Sequence, residues 1–129
     1  MIKGLAAAAI WSEDSKKLVP FYRDVLGLKQ TFMDGEDPAA SEQAGYYTFD
    51  GGNGTWIGLG THSEVKGKAS DPYRHMVGLM VDDVKAEHER LKAKSVEFVE
   101  EPSDYGDGHW IATLKDPEGN LIQLFQFPS

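Results

Sequence analysis

The residues able to do chemistry in this 129-residue chain are scattered rather than grouped. The four histidines, His62, His75, His88 and His109, are far apart. HERLK at 88–92 sets a glutamate beside a histidine but lacks the second histidine of a zinc-binding HExxH helix. His62 falls in a polar connecting stretch and His88 on the charged side of a helical segment, so both read as surface residues. His109 opens a strand after YGDG and is a candidate for ligand contact. There is no cysteine, which excludes thiolate nucleophiles, disulfides and zinc–thiolate centres. GGNGTW at 51–56 lacks the Lys-Ser/Thr of a phosphate-binding loop and opens no helix. No GxSxG stretch offers a nucleophile elbow. Carboxylates collect in EDPAASE (36–42) and VEEPSDYGD (99–107). These read as solvated loops, or as the flanks of a cleft for a cation. Asp116 and Glu118, in the turn DPEGN, read as geometric: Asp opens such turns and Pro presets φ.

The elements that must position these side chains follow from periodicity. Residues 2–11 read as strand or helix; the alanines favour helix locally and nothing in the run fixes a period. SKKLVPFYRDVL (15–26) reads as a helix, with Leu18, Phe21 or Tyr22, and Val25 on one side, Asp14 as N-cap and Gly27 as its stop. Pro20 lies inside it and removes a backbone bond or bends it. LKQTFMD alternates as a strand, and residues 34–44 read as a loop. GYYTFD and TWIGLG form a hairpin about GGNG. After a polar stretch at 61–71 the order recurs: strand YRHMVGLMVDD, amphipathic helix DVKAEHERLKAK with Val84 and Leu91 inward, strand VEFVE, a loop at 102–108, and a hairpin of HWIATLKD and LIQLFQF. A repeat of about 60 residues needs two half-units packed together to bury one core.

The size fits one domain with a real core. The net charge of −8 and pI of about 4.9 disfavour nucleic acid and anionic membranes. The apolar run at the N-terminus stops at Ser12-Glu13-Asp14, short of an export signal, and no stretch is long enough to span a bilayer. A cytoplasmic protein is expected, in which the NGT at 53–55 is a turn and not a glycosylation site.

FYRDVLGL (21–28), VDDVKAEHERLKAK (81–94) and DPEGNLIQLFQF (116–127), in this order, resemble the vicinal oxygen chelate superfamily of glyoxalases, extradiol dioxygenases and bleomycin-resistance proteins. The resemblance covers nearly the whole chain. It implies an α+β fold of two βαβββ modules, about 1–62 and 70–129, within one domain. Each mixed sheet curls into a cup with its helix outside. A homodimer is also implied. Metal enzymes of this family place ligands on the first and last strands of the modules. Carried over by motif, those positions are Ala7, Gly58, Met76 and Gln123. None is a histidine or a carboxylate, so no metal and no cofactor is expected. His75 adjoins Met76, and a one-residue slip would exchange them. Val77, Leu79 and Val81 make an apolar row suited to the helix, which leaves Met76, Gly78 and Met80 for the cup.

By alternation Trp11 shares a face with Ala7 and Ala9, Trp56 with Gly58, and Phe125 with Gln123. Small residues leave volume and aromatics wall it. The expected ligand-binding set is therefore Ala7, Trp11, Trp56, Gly58, Met76, Met80, Trp110, Gln123 and Phe125, with Gln123 as an orienting amide. Three functions follow from the resemblance and these residues. The first is a metal-independent binding protein for an aromatic or cationic small molecule, of the bleomycin-resistance type. The second is a glyoxalase-, lyase- or dioxygenase-like enzyme with ligands elsewhere. The third is a structural or regulatory module. Whether the chain is an enzyme is left open by the sequence.

Overall fold

The computed structural model describes residues 1–31 and 45–128 and has two compact units, Met1–Gly67 and Lys68–Ser129. Each is an α+β module built on a four-stranded mixed sheet.

In the first unit, β1 (Ala7–Ser12) settles the ambiguous alanine run as strand. It pairs in parallel with β4 (Thr55–Thr61), which is antiparallel to β3 (Tyr46–Gly52), which in turn pairs with β2 (Gln30–Thr31). Hydrogen bonding to β4 overrides the helix propensity of alanine. Phe32 and the rest of the expected 28–34 strand, and the loop at 34–44, lie outside the described residues.

The expected 15–26 helix is not one α-helix. It is a 3₁₀ turn, Ser15–Leu18, followed by a π turn, Phe21–Val25. Pro20 stands at the junction and has no N–H to donate. Beyond it the backbone bonds lengthen: Leu26 N–H reaches the Phe21 carbonyl (2.9 Å) and Leu28 N–H the Tyr22 carbonyl (3.0 Å). Nor does the Asp14 side chain cap this segment. Ser12 Oγ instead accepts from Asp14 N–H (2.9 Å), and the Ser15 hydroxyl donates to the Gly45 carbonyl (2.8 Å). The segment turns out at Gly27 (φ +81°). Leu18, Val19 and Tyr22 pack with Ile10, Tyr47, Phe49, Ile57 and Leu59 on one face of the sheet. Each fully buried large side chain contributes about 1.5–3 kcal/mol.

In the second unit, β5 (Met76–Met80) is parallel to β8 (Leu121–Gln126), followed by β7 (Trp110–Lys115) and β6 (Phe98–Asp104). Helix α1 (Val84–Lys92) starts at Asp83, whose carboxylate accepts from Ala86 N–H (3.1 Å). Gln126 Oε1 accepts from Val84 N–H (2.9 Å), tying the helix start to β8. Val84 and Leu91 point inward, as expected, with Ala112, Leu114, Ile122 and Leu124 in the same core. Ser95 follows the helix at φ +66°, a left-handed conformation that costs a non-glycine residue roughly 1 kcal/mol.

DPEGN closes the β7–β8 hairpin around Asp116, which is buried. Its Oδ1 accepts from Glu118 N–H (2.8 Å) and Asn120 N–H (2.9 Å), and its Oδ2 from the Asn120 amide (2.9 Å). This carboxylate is a turn organiser: its oxygens are occupied by the loop. Among the described residues, no helix is long and apolar enough to cross a membrane.

Candidate functional site

Each sheet turns one face to its helical segment and leaves the other to the remaining side chains. In the first unit the pairings Ala9–Gly58, Trp11–Gly60, Thr48–Gly58 and Tyr46–Gly60 fix the helix-free face. It carries Ala7, Ala9 and Trp11 from β1, Trp56, Gly58 and Gly60 from β4, and Tyr46 and Thr48 from β3. The expected residues Ala7, Trp11, Trp56 and Gly58 are thus brought to one face.

Two glycines shape that face. A Cβ on Gly58 would overlap the Tyr46 hydroxyl, and one on Gly60 would lie 2.5 Å from Trp11 Cε3 and 3.0 Å from Tyr46 Cδ2. The rings of Trp11 and Tyr46 therefore lie directly on the backbone of β4. Their centroids are 5.9 Å apart and their planes tilted by 38°. Trp56 Nε1 donates a long hydrogen bond to Tyr46 Oη (3.4 Å). His62, expected as a simple surface histidine, is exposed but meets the Trp11 ring edge-on at 5.8 Å. Trp11 itself is 46% exposed, so its ring is held from one side and open on another. Aromatic pairs of this spacing are worth about 0.5–1.5 kcal/mol each.

The second unit repeats the plan with different residues. Pairings Met76–Leu121, Gly78–Gln123, Met80–Phe125 and Gln123–Thr113 place Met76, Gly78, Met80, Gln123 and Phe125 on its helix-free face. Val77 and Leu79 align with buried Ile122 and Leu124 on the other, so the strand is in the register that keeps Met76 on this side. His75 precedes the strand and is exposed. A Cβ on Gly78 would come 2.8 Å from Phe125 Cε2, so this ring too rests on a glycine. Phe125 stacks with Phe127 at 6.3 Å, and His109 meets Phe127 edge-on at 6.1 Å. The His109 ring nitrogen Nδ1 also lies 2.7 Å from the Gly106 carbonyl.

Two expectations are corrected here. Trp110 pairs with Gln126, the residue that binds the start of α1, and so belongs to the helix side of the sheet. Lys85 of α1 lies over its ring, 4.0 Å from the centroid. The DPEGN turn fixes Lys115 opposite Leu121, and alternation back from there sends Trp110 away from Gln123. His88 is not simply a surface residue. Its Nε2 is 2.6 Å from Glu101 Oε2, and its ring packs edge-on against Phe98 at 4.6 Å.

β6 also departs from simple alternation. Phe98 pairs with Leu114, but Glu100 pairs with Thr113. Two residues of β6 advance against one of β7, a bulge that moves Glu100 to the face of Gln123. The Tyr105 hydroxyl donates to Glu100 Oε1, and this bond holds the phenol pKa above its ordinary value.

The two registers superpose position by position. Ala7 opposite Trp56 matches Met76 opposite Leu121, and Gly58 opposite Thr48 matches Gln123 opposite Thr113. Gln123 and Gly58 therefore hold equivalent places. A divalent metal needs several nitrogen or oxygen donors held together. Ala7 and Gly58 offer no side-chain donor, Met76 a soft thioether, and Gln123 one neutral oxygen. These positions do not fit a metal centre. Among the described residues, no group of three or more His, Asp or Glu side chains is placed to hold one.

Sequence reasoning placed Gly78 correctly but missed Tyr46, Gly60 and Glu100 as members of these faces, and Tyr105 as the partner of Glu100. The alternating glycines of TWIGLG and MVGLM signal room for a ring. The bulge behind Glu100 has no sequence signature.

Comparison with known proteins agrees with this architecture. The chain is 27% identical over 129 residues to the uncharacterized protein YwbC of Bacillus subtilis (strain 168), covering 98% of this chain and 99% of that protein. Its fold is similar to the crystal structure of a glyoxalase/dioxygenase from Nostoc punctiforme, with a TM-score of 0.78 at 16% identity, covering 98% of this chain and 92% of that one. A lactoylglutathione lyase from Agrobacterium tumefaciens is similar at a TM-score of 0.69 and 20% identity, covering 97% of this chain and 94% of that one. The family model for the Glyoxalase/Bleomycin resistance protein/Dioxygenase superfamily matches residues 4–124, and the chain belongs to that superfamily.

Proposed function

We propose that this chain is a metal-independent small-molecule binding protein of the bleomycin-resistance type, working as a cytoplasmic homodimer and holding an aromatic or cationic organic ligand. The observation that carries the reading is the glycine-seated aromatic face of the first unit. Trp11 and Tyr46 rest on Gly60 and Gly58, so their rings are pre-positioned, and a flat ligand stacking on them orders little that is not already ordered. The faces of tryptophan and tyrosine also attract cations, by about 0.5–2 kcal/mol each. The net charge of −8 favours the same class of ligand. The donor-poor set Ala7, Gly58, Met76 and Gln123 supports binding without metal. A second reading, an enzyme, draws on the phenol–carboxylate pair of Tyr105 and Glu100 as a proton-handling group.

The test is calorimetric titration of untagged protein with 2-naphthylmethylammonium and its neutral isostere 2-naphthylmethanol, in chelator and then with Mn²⁺, Ni²⁺ or Zn²⁺. Saturable binding in chelator is expected, unchanged by metal, with no stoichiometric metal uptake. Tight uptake of one metal per chain, with binding or turnover that depends on it, would refute the proposal.

A further inference from the structure

Glu100 stands apart from its acidic neighbours. Glu101 faces His88 Nε2 (2.6 Å) and Lys92 Nζ (4.0 Å), and Glu97 faces Lys115 Nζ (3.4 Å). Glu100 has no basic partner among the described residues; its Oε1 accepts from Tyr105. Without the bulge Glu100 would share the side of Phe98, which packs against His88 of α1. The bulge transfers it to the row Gly78–Gln123–Thr113–Glu100 across the helix-free face. Adjacent strands are about 4.8 Å apart, so the Glu100 and Gln123 backbones are separated by roughly 10 Å. Between and beside them lie a hydroxyl (Thr113) and the apolar groups of Met76, Met80 and Phe125. Lys115 follows on the same strand, but its ammonium is directed to Glu97.

An unpaired carboxylate beside an apolar, ring-bearing surface fits one kind of partner. We infer that Glu100 is the charge-recognising residue of a ligand site on the second unit, and that the group it takes is an ammonium carried on a flat apolar body. Tyr105 occupies Oε1 and fixes the carboxylate. Oε2 is left to accept from the ligand, while Gln123 supplies a neutral donor and acceptor. This inference rests on the binding function proposed above and extends it to the surface of the second unit, with a class of ligand and a residue.

The experiment compares 2-naphthylmethylammonium with 2-naphthylmethanol by calorimetry on the wild-type chain, Glu100→Gln and Glu97→Gln. The two variants change the net charge equally and replace one carboxylate each. A charge-assisted hydrogen bond accepted by Glu100 adds about tenfold to the wild-type preference for the ammonium. Glu100→Gln lowers that preference about tenfold, to what the aromatic faces alone supply, and leaves the neutral isostere unchanged. Glu97→Gln keeps the wild-type preference. A preference undiminished in Glu100→Gln, or a loss equal for both probes, overturns the assignment of Glu100 while binding itself stands. Failure of both probes to bind the wild type overturns the binding function, and this inference with it. Thermal melting of each variant separates these outcomes from misfolding.

Discussion

Replacing Gly60 by alanine separates the stability of the sheet from the shape of its face. The new methyl would lie 2.5 Å from Trp11 Cε3 and 3.0 Å from Tyr46 Cδ2. Backbone is not what it meets; the obstacle is the far end of a side chain that is already 46% exposed. Trp11 can swing outward, losing its contact with Tyr46 at about 0.5–1.5 kcal/mol. Against this, alanine in an unstrained strand restricts the unfolded chain, a gain of about 0.4–1 kcal/mol. The two nearly cancel, so the melting temperature should move by no more than about 5 °C. Ligand binding has no such compensation. Loss of one stacking surface costs about 1.4 kcal/mol, or a factor of ten in the dissociation constant for 2-naphthylmethylammonium. Tryptophan emission should shift to the red as the Trp11 ring meets water. An unshifted emission would refute the seating of Trp11 on Gly60. A shifted emission with unchanged affinity would remove Trp11 from the site.

Two further outcomes are expected. Asp116→Ala removes the acceptor of the Glu118, Asn120 N–H and Asn120 amide donors in a buried turn and should destabilise the chain by about 1–3 kcal/mol in urea unfolding; an unchanged midpoint would show that the turn holds without it. Because the bond to Glu100 raises the Tyr105 phenol pKa, this tyrosine should still be protonated in the folded chain where an ordinary tyrosine ionises, and ultraviolet titration of Glu100→Gln should show one tyrosine ionising at lower pH.

Much of this arrangement is legible in the sequence because burial on one side of a sheet enforces a period of two. Val77 and Leu79 against Ile122 and Leu124 fix the second unit's register, and with it the sides of Met76 and Gln123. The same logic puts Ala7, Trp11, Trp56 and Gly58 together. It breaks where the chain inserts a residue or counts from the wrong anchor. Glu100 changes side through a bulge, which depends on pairing with β7 and leaves no mark in composition. Trp110 is lost because its side is set from the distant DPEGN turn and not from its neighbours. The first helical segment is misjudged because Pro20 both removes a donor and fixes φ, so the chain resolves the conflict with a 3₁₀ and a π turn.

The internal repeat explains why one scaffold yields two different surfaces. Trp11 in β1 corresponds to Met80 in β5, and Gly60 in β4 to Phe125 in β8. In the first unit the edge strand supplies the ring and the central strand the glycine; in the second the ring is on the central strand and Gly78 on the edge. The exchange keeps a ring resting on backbone in both units but changes which strand anchors it. Gly58 and Gln123, at matching places, then differ in what they leave beside the ring. Gly58 gives its space to the Tyr46 hydroxyl, whereas Gln123 presents an amide in the same row as Glu100. The first surface is suited to stacking and the second to reading polar and charged groups. Replacing Gln123 should therefore alter selectivity among polar substituents at the second unit's surface, and replacing Gly58 should alter affinity for flat bodies at the first unit's own surface.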